Sequence, residues 1–267
     1  MEFEWLSKIH HAGNIANFLP LLVASRIQAT KSLVEINDYI EILISLERYA
    51  YRVYLWQGKR SNAGMSALYR WAKEVFDKLH DFKKFSAWID GLMNWYSNEN
   101  SFLEDSEKPT DWYKRKGLLK YTLFEYELRL LLEEGKNKAP HLKWEDLSDS
   151  TLEHILPQTI DEQYNWSKTW TEKDINTYLH SIGNLVLTES NSHYRNFDFE
   201  RKRGNAGNGY CYANSDIRQE RKISNFPKWE VYECMERLNT LAIFIKDRWG
   251  SKVLNTEVLT IEEDEDE

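Results

Sequence analysis

A chain of 267 residues, 42% hydrophobic and 14% aromatic, is one large or two small domains with enough apolar side chain for a real core. Its net charge of −8 argues at first sight against a nucleic-acid partner, but residues 262–267 are all acidic, so the distribution matters more than the sum. No run approaches the ~20 apolar residues of a membrane span and no signal peptide is evident. Cys211 and Cys234, without a CxxC pair, exclude a four-thiolate zinc staple within one chain and suit a reducing, cytoplasmic setting.

Residues 1–26 read as a short helix and a connection, with Pro20 where a helix starts rather than continues. Between 33 and 56, Leu33, Ile36, Ile40, Leu43, Ile44, Leu46, Ala50, Val53 and Tyr54 recur at helical spacing. Gly58 and the polar run behind it make a turn. A second long helix is predicted over 65–79, with Leu68, Trp71, Ala72, Val75, Phe76 and Leu79 on one face. A third is predicted over 82–96, where Phe85, Trp88, Ile89, Leu92 and Trp95 repeat at the same interval. Residues 98–110 read as a loop with little to bury. Residues 118–132 are apolar on nearly every side, which predicts an interior helix, the central pillar, ended by Gly135, Asn137 and Pro140. The eleven Trp and fifteen Tyr are expected mostly to fill helix interfaces.

The stretch 152–203 carries the only constellation that looks like chemistry. Glu153 and His154 lead through Ile155 and Leu156 into Pro157, which resists continued regular pairing. A connector with Trp166, Trp170 and Tyr178 follows, and Thr171 to Asp174 reads as a helix opening. The run 182–187 is a second apolar segment interrupted by Gly183, and 191–203 is polar with Tyr194, Phe197 and Phe199. The order is strand, long loop, strand, short helix. Glu153 and Asn191 offer oxygen to a hard divalent cation, while His154 titrates near neutrality and can take a proton from water. Together they describe metal-assisted phosphodiester hydrolysis, the ion neutralising charge on the phosphate and leaving oxygen.

Those residues carry a resemblance. EHILPQ, then IGNLVLT, then NSHYRNFDFERKR resembles the HNH, or ββα-metal, nuclease motif in the version found in the C-terminal domain of GmrSD-type modification-dependent (type IV) restriction enzymes. The HNH domain of the CRISPR single-effector DNA nuclease has a similar ordered set. The resemblance implies His154 as general base, Glu153 with Asn191 or His193 as ligands of one Mg²⁺ or Mn²⁺, and Asn184 as the holder of the loop that carries His154. It also implies Lys202 as a phosphate or structural contact. Glu153 stands where many such sites have Asp, and Asn191 and His193 both remain candidates for the last ligand.

Between 191 and 222 seven basic residues face four acidic ones, and Arg195, Arg201 and Arg203 are the expected nucleic-acid contacts. Trp166 stacking on a base, and His180 as anything beyond a polar residue at a strand entrance, are the lesser readings of those two side chains. Residues 204–209, rich in Gly and Asn, read as a mobile loop beside the site. The last strong helix is predicted over 229–249, packed back on the nuclease core. The end of the chain reads as a solvated acidic tail, with Val258 and Ile261 a lesser candidate for a short strand.

The expected fold is mainly α with a small α+β insert, divided as a helical domain over 1–140, an HNH-type nuclease core over 141–252 and an acidic tail over 253–267. The expected function is a metal-dependent DNA endonuclease, the effector of a phage-defence system. A non-catalytic DNA- or protein-binding scaffold of the same shape and an RNA-directed nuclease are the alternatives. In the family such a domain follows an N-terminal ParB-like nucleotide-dependent domain. Nothing here resembles one, so the chain is expected to be the C-terminal piece of a longer protein, or else a separate subunit.

Overall fold

Helix dominates because apolar residues return every three to four positions through most of the chain, and among the described residues two three-residue strands interrupt it at the motif. The computed structural model describes residues 1–30, 33–135, 139–204 and 209–251. Asn137, most of the glycine-rich loop and the acidic tail with its Val258 and Ile261 lie outside the described residues. The chain divides into two compact units: Met1–Leu103 with the residues from Trp249 onward, and Glu104–Arg248.

The first unit contains α1 (Glu2–Ala12), α2 (Leu19–Gln28), α3 (Leu33–Tyr49), α4 (Met65–Asp77) and α5 (Lys84–Tyr96). Pro20 sits in the first turn of α2, as its missing N–H requires. The backbone of α3 runs on into a π-helical segment, Ala50–Trp56, whose wider turn buries six of seven side chains. One of these is Arg52, fully buried, which pairs with Glu99, donates to the Ser97 carbonyl and lies 4.5 Å over the Phe102 ring. Tyr51 stacks on Trp249 at 3.6 Å. On α4 the predicted face overshoots: Leu68, Trp71, Ala72 and Val75 are buried, Phe76 is exposed within the helix, and Leu79 lies beyond it, since Lys78 turns left-handed (φ 57°) and ends the helix.

Residues 99–106, expected as loop, form α6 (Glu99–Ser106). Composition hid two anchors: the Asn98 side chain accepts from Ser101 N as a helix cap, and Phe102 is fully buried against Trp56 at 4.9 Å.

The second unit is organised around α7 (Lys116–Glu133), buried along most of its length as its all-round apolar pattern predicts. After it come β1 (Leu152–His154), α8 (Trp166–Thr169), α9 (Glu172–Tyr178), β2 (Leu185–Leu187), α10 (Phe199–Arg203), α11 (Arg218–Ser224) and α12 (Val231–Trp249). The strands pair antiparallel with Leu152 opposite Leu187, Glu153 opposite Val186 and His154 opposite Leu185. Thr171 caps α9 reciprocally with Asp174.

The boundary expected near residue 140 falls instead after Leu103, which puts α7 in the same unit as the motif. A buried carboxylate on α7 shows why. Glu127 accepts the Arg218 and Gln219 backbone N–H groups at 2.8 and 3.1 Å, satisfying the free end of α11 from a distance in sequence that no local pattern reports. α12 packs on the strand layer through Arg237, whose Nη1 donates to the carbonyls of Ile182, Gly183 and Leu185.

Candidate active site

Two strands of three residues cannot hold a hairpin by themselves, so the loop beyond His154 needs another anchor. Asn184 supplies it. Its backbone carbonyl accepts from Ile155 N at 3.0 Å, its Oδ1 from Leu156 N at 2.8 Å, and its Nδ2 donates to the Leu156 and Leu179 carbonyls at 3.0 and 2.9 Å. Trp229 Nε1 gives Oδ1 a second donor at 3.1 Å. Asn184 is fully buried, and every polar group of its side chain is matched. The loop that the resemblance assigned to Asn184 is thus bonded to it directly, and Pro157 ends the pairing one residue later.

Successive side chains of a strand point to opposite faces, and β1 obeys this at the motif. Glu153 lies on the face toward α10. Its Oε1 accepts from Lys202 Nζ at 2.6 Å, and the same ammonium reaches the carbonyls of His154 at 2.8 Å and Ile155 at 3.0 Å. Lys202 is 1% exposed and its three donors are all engaged, so in this arrangement it braces β1. Burial raises the Glu153 carboxyl to about 7 against the opposing pull of Lys202, and burial lowers the Lys202 ammonium. Replacing Lys202 by Met should destabilise the unit by about 3–5 kcal/mol, because a buried carboxylate and two carbonyls lose their partner together. Urea unfolding of the variant measures this, and the double variant Lys202→Met with Glu153→Gln should recover part of the loss.

Behind this pair sits a second buried carboxyl, Glu220, on α11. Burial raises it to about 8; the hydroxyls of Ser215, Thr188 and Tyr194 pull it down and Glu153 pushes it further up. A carboxyl raised from the ordinary 4.5 contributes stability that is complete below that value and is lost as pH rises through 8. Between pH 7 and 8, above the Glu153 value, the expected loss is about 1 kcal/mol, because the slope falls to half as Glu220 itself titrates. The Glu220→Gln protein should show a flatter stability curve there and exceed the parent above pH 8, as thermal melts over that range would read.

His154 lies on the opposite face of β1. Its Nε2 is 3.1 Å from Nδ1 of His180, and Tyr113 closes the group, edge-on to His154 at 4.6 Å and stacked on His180 at 5.5 Å. Trp112 N donates to the His180 carbonyl at 2.9 Å, which ties the residue ahead of Tyr113 to the end of the connector. Burial, then His180 and Lys202, lower the His154 imidazole to about 3, so it is neutral at physiological pH. It is 5% exposed. His180, expected as a polar residue at a strand entrance, is therefore a direct partner of His154.

The turn at 191–193 belongs to the other face. Asn191 Nδ2 donates to the Leu152 carbonyl at 3.3 Å. His193 stacks on Tyr210 at 3.8 Å and lines a pocket of about 280 Å³ with His141, Glu189 and Glu220. Glu153 is paired with Lys202 and His193 stacks on Tyr210, and no three His, Cys, Asp or Glu side chains among the described residues form a group that could hold a metal. The carboxylate of Glu153 and the amide of Asn191 are donor types that suit a hard cation.

Of the expected nucleic-acid contacts, Arg195 and Arg201 are exposed, and Arg201 packs 3.4 Å over Phe197. Arg203 is half-buried and donates to the Ser224 carbonyl at 2.9 Å. Much of the positive charge counted over 191–222 is internal: Arg218 pairs with Glu127 and Glu134, Arg221 with Glu134, and Lys202 with Glu153. Trp166 and Trp170 are both buried, donating to the carbonyls of Phe197 and Trp229, which leaves Trp166 no face for a base. Tyr113, Glu220 and Trp229 have no signal in the motif; each reaches the site from an element distant in sequence.

A hairpin locked by Asn184, carrying Glu-His and backed by a Lys-bearing helix, is the order of elements that the ββα-metal resemblance implies. The family model of the GmrSD restriction endonucleases, C-terminal domain, matches residues 96–243, more than half of the chain, and the protein belongs to that family. The match begins upstream of α7 and includes Tyr113, in keeping with the compact unit rather than with a boundary at 140. No curated protein and no solved structure matches the chain. No described helix is long and apolar enough to cross a membrane.

Proposed function

We propose that the second unit hydrolyses phosphodiester bonds in DNA, as the effector of a type IV restriction system directed at phage or other foreign modified DNA, with His154 as general base. The observation that supports this most is a neutral imidazole in the matched family domain, held on a loop that Asn184 fixes through both its backbone and its side chain. A base must be unprotonated at the working pH and immobile enough to meet its substrate in one geometry. Arg195 and Arg201 are the side chains free to meet the phosphate backbone.

Dependence on Mg²⁺ or Mn²⁺ belongs to the proposal through donor type alone, since carboxylate and amide oxygens are the ligands such ions take. A ParB-like nucleotide-dependent domain or subunit is the proposed partner. The test is nicking and linearisation of modified and unmodified plasmid by the full chain, with each metal and with EDTA, and with RNA as competitor. Cleavage of DNA that EDTA stops is the expected result.

One observation favours a second reading. His154 lies almost fully enclosed by Tyr113 and His180, so a non-catalytic scaffold that keeps the ββα shape is also a use for this geometry. Folded protein with no cleavage across Mg²⁺, Mn²⁺ and Ni²⁺ would select it. Preferential cleavage of RNA would instead redirect the same chemistry.

A further inference from the structure

We infer that His180 is the positioning residue for His154, accepting its Nε2–H and so leaving Nδ1 as the nitrogen that takes the proton in the reaction. Geometry supplies the contact between the two rings, and the inference rests on the nuclease reading for the direction of the bond and for its catalytic use. The two ring nitrogens lie 3.1 Å apart, and one bridging proton must belong to one of them. If His180 donated, Nε2 of His154 would be filled and the proton of its neutral ring would sit on Nδ1, leaving no nitrogen to act as a base. The donor is therefore His154, and His180 carries its own proton on Nε2.

Two contacts hold His180 for this task, and a third ties its stacking partner to His154. Its carbonyl receives the Trp112 N–H at 2.9 Å, its ring lies nearly parallel to Tyr113 at 12°, and Tyr113 meets His154 edge-on. Lys116 Nζ sits 4.8 Å from the Tyr113 ring centre. The backbone anchor does not depend on the imidazole, so the side chain at 180 can be changed while the segment keeps its bond to Trp112.

Three proteins test this: the parent, His180→Asn, whose amide oxygen can take the place of Nδ1, and His180→Leu, which fills the space without an acceptor. With ¹⁵N-labelled histidine, long-range ¹H–¹⁵N spectra of the parent should show His154 protonated on Nε2 and bare on Nδ1. His180→Asn should keep that tautomer, and His180→Leu should give mixed tautomers. In the plasmid assay His180→Leu should lower kcat by about 10²-fold with KM little changed, and His180→Asn should restore most of the rate. A parent His154 protonated on Nδ1, or a His180→Leu protein with both tautomer and rate unchanged, overturns the inference. An inactive parent would count against the nuclease reading while the spectra still decide the hydrogen bond. A His180→Leu protein that melts early is replaced by His180→Gln, whose longer amide should give an intermediate tautomer shift.

Discussion

Replacing His154 by Ala is expected to lower DNA cleavage by about 10²–10⁴-fold, the span that general bases contribute, while DNA binding and the melting temperature change little. The separation follows from where the side chain points. His154 contributes to the fold mainly through its backbone: pairing in β1 and a carbonyl that accepts from Lys202. Those contacts survive the substitution. Its ring meets Tyr113 edge-on and shares one hydrogen bond with His180, and removing it frees a hydrogen-bonding group on a half-buried histidine that water can satisfy. Single-turnover cleavage with a binding measurement on the same substrate reads both halves. A variant that cuts at the parental rate would show the base assignment to be wrong.

Asn184→Ala should act through stability first and activity second. It strips partners from the Leu156 N–H, the Leu156 carbonyl, the Leu179 carbonyl and the Trp229 indole at one buried point. At roughly 1 kcal/mol or more for each orphaned group, the loss is about 4 kcal/mol at least, a large part of an ordinary domain's stability. The melting temperature should fall by about 10 °C. Asn184→Asp should not rescue it, since a carboxylate would face two carbonyls where the amide donated. Any protein still folded should have the loop after His154 released, so hydrogen exchange at Ile155 and Leu156 should accelerate together.

Sequence order was enough to find the hairpin, because a Glu-His pair before a proline and an Asn before an apolar run are local patterns. Helical periodicity placed α3, α5, α7 and α12 and the Pro20 start of α2 for the same reason: a 3.6-residue repeat is a property of neighbours along the chain. The cap on α9 was legible from Thr171 and Asp174 alone. α6 was not, since its polar composition concealed that Phe102 has a cavity to fill.

What the chain order determined by itself was which residues could form a nuclease-like hairpin and that helices would surround it. What only tertiary structure decided was what those residues face. The alternation of β1 sends Glu153 toward Lys202 and His154 toward His180, and the partners come from α10, the connector and α7's flank, tens of residues away. Adjacency in sequence brings backbones together, but in a strand it sends side chains apart, and burial then sets which of them keeps its charge.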